Sequence, residues 1–276
     1  MDDAIPPDPT AAPTVSWLRI YPVKGAAGIP LEAAELDACG FRWDRRWLVT
    51  DPAGEFFTQR ELPRLALLRT RIEGDALVLD FPGAAPLRVP LEEPAAARSP
   101  VRVWDDVVEA APVGPEAAAW LSEVLGTPCR LMRFPADARR PVDPRYAVAG
   151  AADRVAFPDG YPILLLSEAS LAELNRRLAT PVPMERFRPS LVVAGTAPHA
   201  EDGWRRLEVA GVRLHVVKPC ARCVVTTVDQ ATGVAGKEPL RTLARYRKVG
   251  SKVLFGQNVI HEGRGTIRLG DRVTVL

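Results

Sequence analysis

The chain has 276 residues, 47% of them hydrophobic and 25% charged, the profile of a soluble globular protein long enough for one large or two ordinary domains. Its 36 basic and 34 acidic residues leave a net charge of +2, and no run of five like charges occurs, which excludes the field of a general nucleic-acid binder while leaving local anion sites open. Four cysteines fit a reducing compartment rather than a disulfide scaffold, and no stretch approaches the ~20 apolar residues of a membrane span, so a cytoplasmic location without membrane or nucleic-acid partner is expected.

Residues 1–14 are proline-rich and acidic and lack the basic and apolar regions of a signal peptide, which predicts a disordered tail. From Val15 to Val23, Trp17, Arg19 and Tyr21 alternate with Leu18 and Ile20, the period of a strand. That strand delivers Lys24 and Gly25 to a turn, where a compact ammonium beside a flexible glycine lets side chain and backbone approach a phosphate together. A solvated turn lysine is the ordinary alternative. Further on, Trp47–Thr50 and Glu55–Thr58 flank D-P-A-G and read as a hairpin. Strand alternation sends Arg45 and Arg46 to opposite faces, one of them inward, with Arg46 the solvent residue. Arg60, in T-Q-R-E-L-P-R, reads equally well as part of a further motif-like stretch or as one half of a surface salt bridge.

Strands are expected at residues 67–72, 76–81, 86–91 and 101–108, a small-barrel-like series in which Asp105 and Asp106 form a solvated turn. Ala117, Trp120, Leu121 and Val124 recur at helical spacing before Gly126, which predicts a helix over 116–125. Cys129 opens another strand as a core-type thiol. Residues 134–153, with Pro135, Pro141 and Pro144 among Arg139, Arg140 and Arg145, read as a solvated connecting segment.

Beyond it, Pro158–Gly160 form a turn, Tyr161–Leu166 a buried strand, and Ser167 caps a helix with Leu171, Leu174 and Leu178 on one face. Arg188 and Ser190 stand at the start of the next strand. Ala210–Gly211 turns a hairpin into the stretch K-P-C-A-R-C-V-V-T-T-V-D-Q-A-T-G. His215 there alternates with apolar neighbours and reads as structural. A short helix over 238–248 and a Gly-Asp hairpin over 266–276 close the chain, and no Walker or Rossmann fingerprint occurs.

Cys223 is the side chain best placed for chemistry, set in a C-x-x-C with Cys220, beside Arg222, and before the run Val224–Val228 that reads as a strand. A neighbouring guanidinium favours the thiolate, the nucleophilic and metal-binding form. A zinc knuckle needs a second ligand pair that Cys39, Cys129, His199, His215 and His261 do not form. A thioredoxin-like dithiol would open a helix instead. A buried core thiol or a lone metal ligand remains.

P-C-A-R-C-V-V-T-T-V-D-Q-A-T-G, with K-E-P-L-R-T-L, L-F-G-Q-N and G-T-I-R-L-G-D-R-V after it, resembles the MOSC domain, named for the C-terminal domain of molybdenum cofactor sulfurase. Within it, the chain is similar to the amidoxime-reducing components and their bacterial counterparts. The resemblance implies a mainly β, α+β protein. A smaller β-rich N-terminal domain (residues 15–133), the connecting segment and a MOSC-type β-barrel (residues 154–276) would frame a cleft for the molybdenum cofactor. It also implies Cys223 as the metal ligand, and Lys24, Gly25, Arg45, Gly160, Tyr161, Arg188, Ser190 and Arg222 as cofactor-binding residues. Lys24, Arg45 and Arg188 would neutralise the pterin phosphate, and Asp229 would position Arg222 or a proton. The implied activity is reduction of small N-hydroxylated substrates. Because no C-x4-C-x2-C spacing for an iron–sulfur cluster is present, electrons are expected from a separate ferredoxin- or cytochrome-like donor with its reductase. A persulfide carrier charged on Cys223 by a pyridoxal-phosphate desulfurase, and a non-catalytic cofactor-binding module, are the other readings.

Overall fold

Alternating apolar residues on paired strands build the body of the molecule, in a computed structural model that describes residues 12–92, 97–152 and 154–276. The fold is mainly β with three short α-helices. Residues 1–11, most of the expected tail, lie outside the described residues, and Thr14 already opens the first strand.

The largest sheet runs in the order Val273–Val275, Arg206–Val209, Val212–Arg222, Lys252–Glu262, Ile163–Ser167, Leu191–Ala194, Thr14–Ile20, Ile29–Leu31, with Lys248–Val249 added beside Lys252–Glu262. A bridge between Thr14 and Arg272, with Val15 N–H donating to the Asp271 carbonyl, joins the strand next to last in this path to the start of the first one and closes a barrel. Leu18, Ile20, Leu165, Leu191, Leu207, Leu214 and Val259 fill it, the inward set of strands whose side chains alternate in and out. The N-terminal strand therefore belongs to the barrel made mostly by the second half of the chain.

Of the remaining N-terminal strands, Ala33–Asp37 and Gly40–Phe41 form a small sheet with Gly265–Arg268, and the others form a four-stranded sheet, Trp47–Thr50, Arg130–Arg133, Asp106–Pro112 and Ser99–Val103, and a three-stranded one, Arg69–Glu73, Ala76–Asp80 and Leu87–Pro90. The helix Pro115–Leu125 buries Ala117, Leu121, Val124 and Leu125, packing them with Leu77 and Leu79. Gly126 ends it in the left-handed conformation at φ 75°, the usual glycine stop. No helix among the described residues is long and apolar enough to cross a membrane.

Several expectations are corrected. Val224–Thr227 is a 3-10 turn, not a strand. Thr226 Oγ1 donates to the Cys223 carbonyl at 2.9 Å and Thr227 Oγ1 to the Val224 carbonyl at 2.7 Å, local bonds through which threonine competes with sheet pairing. The cysteine pair instead ends the strand Val212–Arg222, whose register slips twice, between Val216 and Lys218 and between Pro219 and Ala221. Proline has no N–H for the ladder, so it sits at such a bulge. The closing segment is no hairpin: Gly265–Arg268 pairs with Ala33–Asp37, and Val273–Val275 with Arg206–Val209. Residues 101–108 span two strands folded about Trp104–Asp105. Across the D-P-A-G turn only a single bridge, Thr50 to Phe56, forms. Arg46 is not a solvent residue, since its Nη2 reaches Asp37 at 2.5 Å and its side chain is 13% exposed.

Candidate functional site

The bulged end of the Cys-bearing strand, the turn after Ile20 and the loop before Ile163 meet around a cleft of about 380 Å³, within the range of small-molecule and cofactor sites. Eight basic side chains line it against one carboxylate, Asp159, among the described residues. Of the expected site residues, Lys24, Gly25, Arg45, Gly160, Tyr161, Arg188, Arg222 and Cys223 line the cleft, while Ser190 and Asp229 do not.

Lys24 is fixed by the strand it follows. Its Nζ donates to Asp159 Oδ1 at 2.5 Å and to the Phe157 carbonyl at 2.9 Å. Burial lowers its pKa, partly opposed by the Asp159 carboxylate. Burial would raise the Asp159 carboxyl, but Lys24, the Trp104 indole and Arg45 outweigh that and hold it well below the usual carboxylate range. The Asp159 side chain is 76% exposed, and what it faces is the cleft. Gly25, at φ 88°, turns the chain away behind the lysine, and its carbonyl accepts from Gln59 Nε2 at 2.6 Å.

Arg45 and Arg188 flank Tyr21, their guanidinium carbons 4.4 and 4.3 Å from its ring centroid. Arg45 Nη1 donates to Asp44 Oδ2 at 2.5 Å and Ser190 Oγ at 2.8 Å, and Nη2 to the Arg188 carbonyl at 3.1 Å. Ser190, fully buried, thus holds Arg45 from behind rather than touching the cleft. Arg188 donates to the Ala26 carbonyl at 2.6 Å, and burial brings its pKa down to about 10. Burial likewise pushes Tyr21 up to about 12, against the pull of the arginines. Arg45, Trp104 and Arg188 all have positive φ, at 48°, 57° and 56°, and non-glycine residues in this region cluster at ligand clamps.

Arg222 does not serve the sulfur as expected. Its Nε donates to the Phe255 carbonyl at 2.8 Å and Nη1 to the Phe187 carbonyl at 3.0 Å, while Nη2 is buried without a partner. Arg60 lines the cleft with Cys223, and interaction with that sulfur raises the Arg60 pKa. Cys223 and Cys220 both line the cleft, and burial pushes the Cys220 thiol up. Asp229 pairs with Arg186 at 2.8 Å rather than with Arg222, and its other oxygen accepts from the Ala231 and Thr232 N–H groups. It restrains a cleft arginine from outside. Tyr161 packs against Val142, Val155 and Ile260, its hydroxyl buried and unpartnered, so it offers ring and backbone to the cleft.

Sequence reasoning missed Trp104 and Arg140, and left Arg60, which lines the cleft, between a motif residue and a surface salt bridge. Arg140, read as part of a solvated linker, is 3% exposed. It donates to Asp106 Oδ2 at 2.7 Å and to the carbonyls of Ala156, Pro158 and Asp159, clamping the loop that presents Asp159. No local pattern distinguishes it from Arg139.

The donor set suits an anion larger than a simple ion, with the sulfurs of Cys220 and Cys223 in the same wall. No group of three or more His, Cys, Asp or Glu among the described residues could hold a metal alone. A metal at Cys223 would have to bring most of its ligands with it. The unpartnered Arg222 Nη2 and Arg186 Nε, both on residues lining the cleft, are donors left for such a group.

Residues 12–128 match the MOSC N-terminal beta barrel domain and residues 152–274 the MOSC domain. The chain is 39% identical to mitochondrial amidoxime-reducing component 1 of Homo sapiens, over 95% of this chain and 83% of that protein. It is 37% identical to the Xenopus laevis component 1, over 94% and 81%, and 35% identical to the Homo sapiens component 2, over 94% and 82%.

Proposed function

Because the chain belongs to the MOSC family, we propose that its cleft holds a molybdenum cofactor through Cys223 and reduces N-hydroxylated compounds with electrons from a separate protein donor. Relatives that carry amidoxime reduction in their names support the reaction class. The observation that carries the reading is a pair of cysteines, Cys220 and Cys223, in the wall of a cleft lined by eight cations and one carboxylate among the described residues.

The residues fit the group in two zones. Lys24, Arg45 and Arg188 would hold the pterin phosphate, two of them as planar forks suited to phosphate oxygens. Cys223 would hold the metal, and thiolate ligation with the dithiolene sulfurs suits soft coordination. When bound, the cofactor supplies the two-electron chemistry. In balance, an amidoxime takes up two electrons and two protons and gives the amidine and water. The protein's part is to orient the substrate beside Cys223, and Arg60 is placed to hydrogen-bond the N–O oxygen there. Lys24, paired with Asp159, would anchor the anionic end.

Elemental analysis of purified wild type, Cys223→Ala and Cys220→Ala, with benzamidoxime reduction driven by dithionite and a viologen, tests this. Molybdenum and turnover are expected in wild type and Cys220→Ala and not in Cys223→Ala. Equal molybdenum in all three proteins would reject the ligand assignment, and a loaded wild type without turnover would reject the reductase.

A further inference from the structure

The cleft also contains an indole that cofactor binding leaves unused. Trp104 is at the tip of the hairpin Ser99–Val103 and Asp106–Pro112 and lines the cleft with Arg60 and Asp159. Its backbone, at φ 57°, is in a region that bulky side chains rarely adopt. Three contacts hold it there. Its Nε1 donates to Asp159 Oδ1 at 3.1 Å, its ring meets Phe56 edge-on with centroids 4.9 Å apart, and the Arg60 guanidinium carbon lies 4.8 Å from its centroid. Arg60 lines the same cleft as the proposed metal ligand, Cys223.

Val103 pairs with Asp106, so Trp104 is the first residue of a two-residue hairpin loop, a position of positive φ that glycine or asparagine usually fills. Here a bulky residue holds that position, and its half-buried indole faces a cleft lined by eight basic side chains. Strain of this kind persists where the surroundings over-determine it, as at ligand clamps. Aromatic faces recognise planar groups by offset or edge contact, and a guanidinium recognises an oxygen acceptor.

We propose that Trp104 and Arg60 form the substrate subsite and select N-hydroxylated compounds whose N–O group is borne on a planar aromatic ring system. The planar group packs on the indole where it faces the cleft, and the N–O oxygen accepts from Arg60, which sets it beside Cys223. The inference rests on the reductase reading for its reaction and on Trp104 for its selectivity.

Benzamidoxime and acetamidoxime share the reacting group and differ by the ring. With cofactor-loaded wild type, Trp104→Ala and Trp104→Phe, KM for both is measured with a chemical reductant, benzamidoxime binding to the oxidised protein by calorimetry, and molybdenum by elemental analysis. In Trp104→Ala the preference in KM for benzamidoxime over acetamidoxime falls about five-fold, the size of one aromatic contact. Binding weakens by a similar factor, molybdenum content holds, and Trp104→Phe recovers most of the preference. Equal losses for the two substrates, loss of molybdenum in Trp104→Ala, or no recovery by phenylalanine would overturn the subsite. If wild type reduces neither compound yet binds benzamidoxime in a Trp104-dependent way, the reductase reading falls and the subsite stands.

Discussion

Lys24 Nζ lies 2.5 Å from Asp159 Oδ1, a pair that ties the first turn of the chain to the loop before Ile163. The partners differ in exposure, the lysine side chain at 11% and the aspartate at 76%. Removing the aspartate strands a buried ammonium, whereas removing the lysine leaves a carboxylate open to water. Asp159→Asn should therefore cost about 1–2 kcal/mol and Lys24→Met less, since breaking an ion pair is expensive only when the remaining charge is buried. Urea unfolding of the two variants checks the order. A larger loss for Lys24→Met would contradict it.

Arg45 uses its fork on Asp44, Ser190 and the Arg188 carbonyl. Arg45→Lys keeps the charge but cannot make these bonds together, and should lower stability by about 2 kcal/mol. Molybdenum content should fall as well. Retention of both, by chemical denaturation and elemental analysis, would show that charge alone suffices at this position.

Gly25 occupies φ 88°, and a Cβ there would stand 3.2 Å from Leu65 Cδ1. Gly25→Ala should destabilise by about 1–2 kcal/mol, the cost of a left-handed conformation for an L-residue. An unchanged denaturation midpoint would mean that the turn rearranges.

His261 is 1% exposed, its Nδ1 near the Gly263 carbonyl and its Nε2 unpartnered. Burial lowers its pKa. Below about pH 6.5 the unfolded chain takes up a proton that the folded chain refuses until lower pH, so stability falls as pH drops through that window, by at most about 1.4 kcal/mol per pH unit for this residue. His261→Asn should flatten the acid side of a midpoint-versus-pH curve between pH 7 and 5. A slope as steep as wild type would assign the acid loss to other groups.

The linear motifs carried the parts of the site that depend on strand ends. Lys24, Arg45, Arg188 and Cys223 follow or precede elements whose positions hydrophobic period makes readable, and all four reach one cleft. Side-chain direction was harder. The adjacency of Arg222 to Cys223 implied a charge partner, yet bonds to the Phe187 and Phe255 carbonyls turn that guanidinium elsewhere, and Arg60, distant in sequence, takes its place. Trp104 depends on a left-handed turn that composition does not encode. The V-V-T-T run satisfied strand propensity, and only the return of its hydroxyls onto local carbonyls makes it a turn.

The bridge from Thr14 to Arg272 makes the two ends of the polypeptide neighbours. A fragment starting after the connecting segment would lack the stave between Leu191–Ala194 and the C-terminus and would present two raw strand edges to other molecules. Such a half should precipitate when expressed by itself and regain solubility when a peptide covering residues 12–31 is supplied to fill the seam.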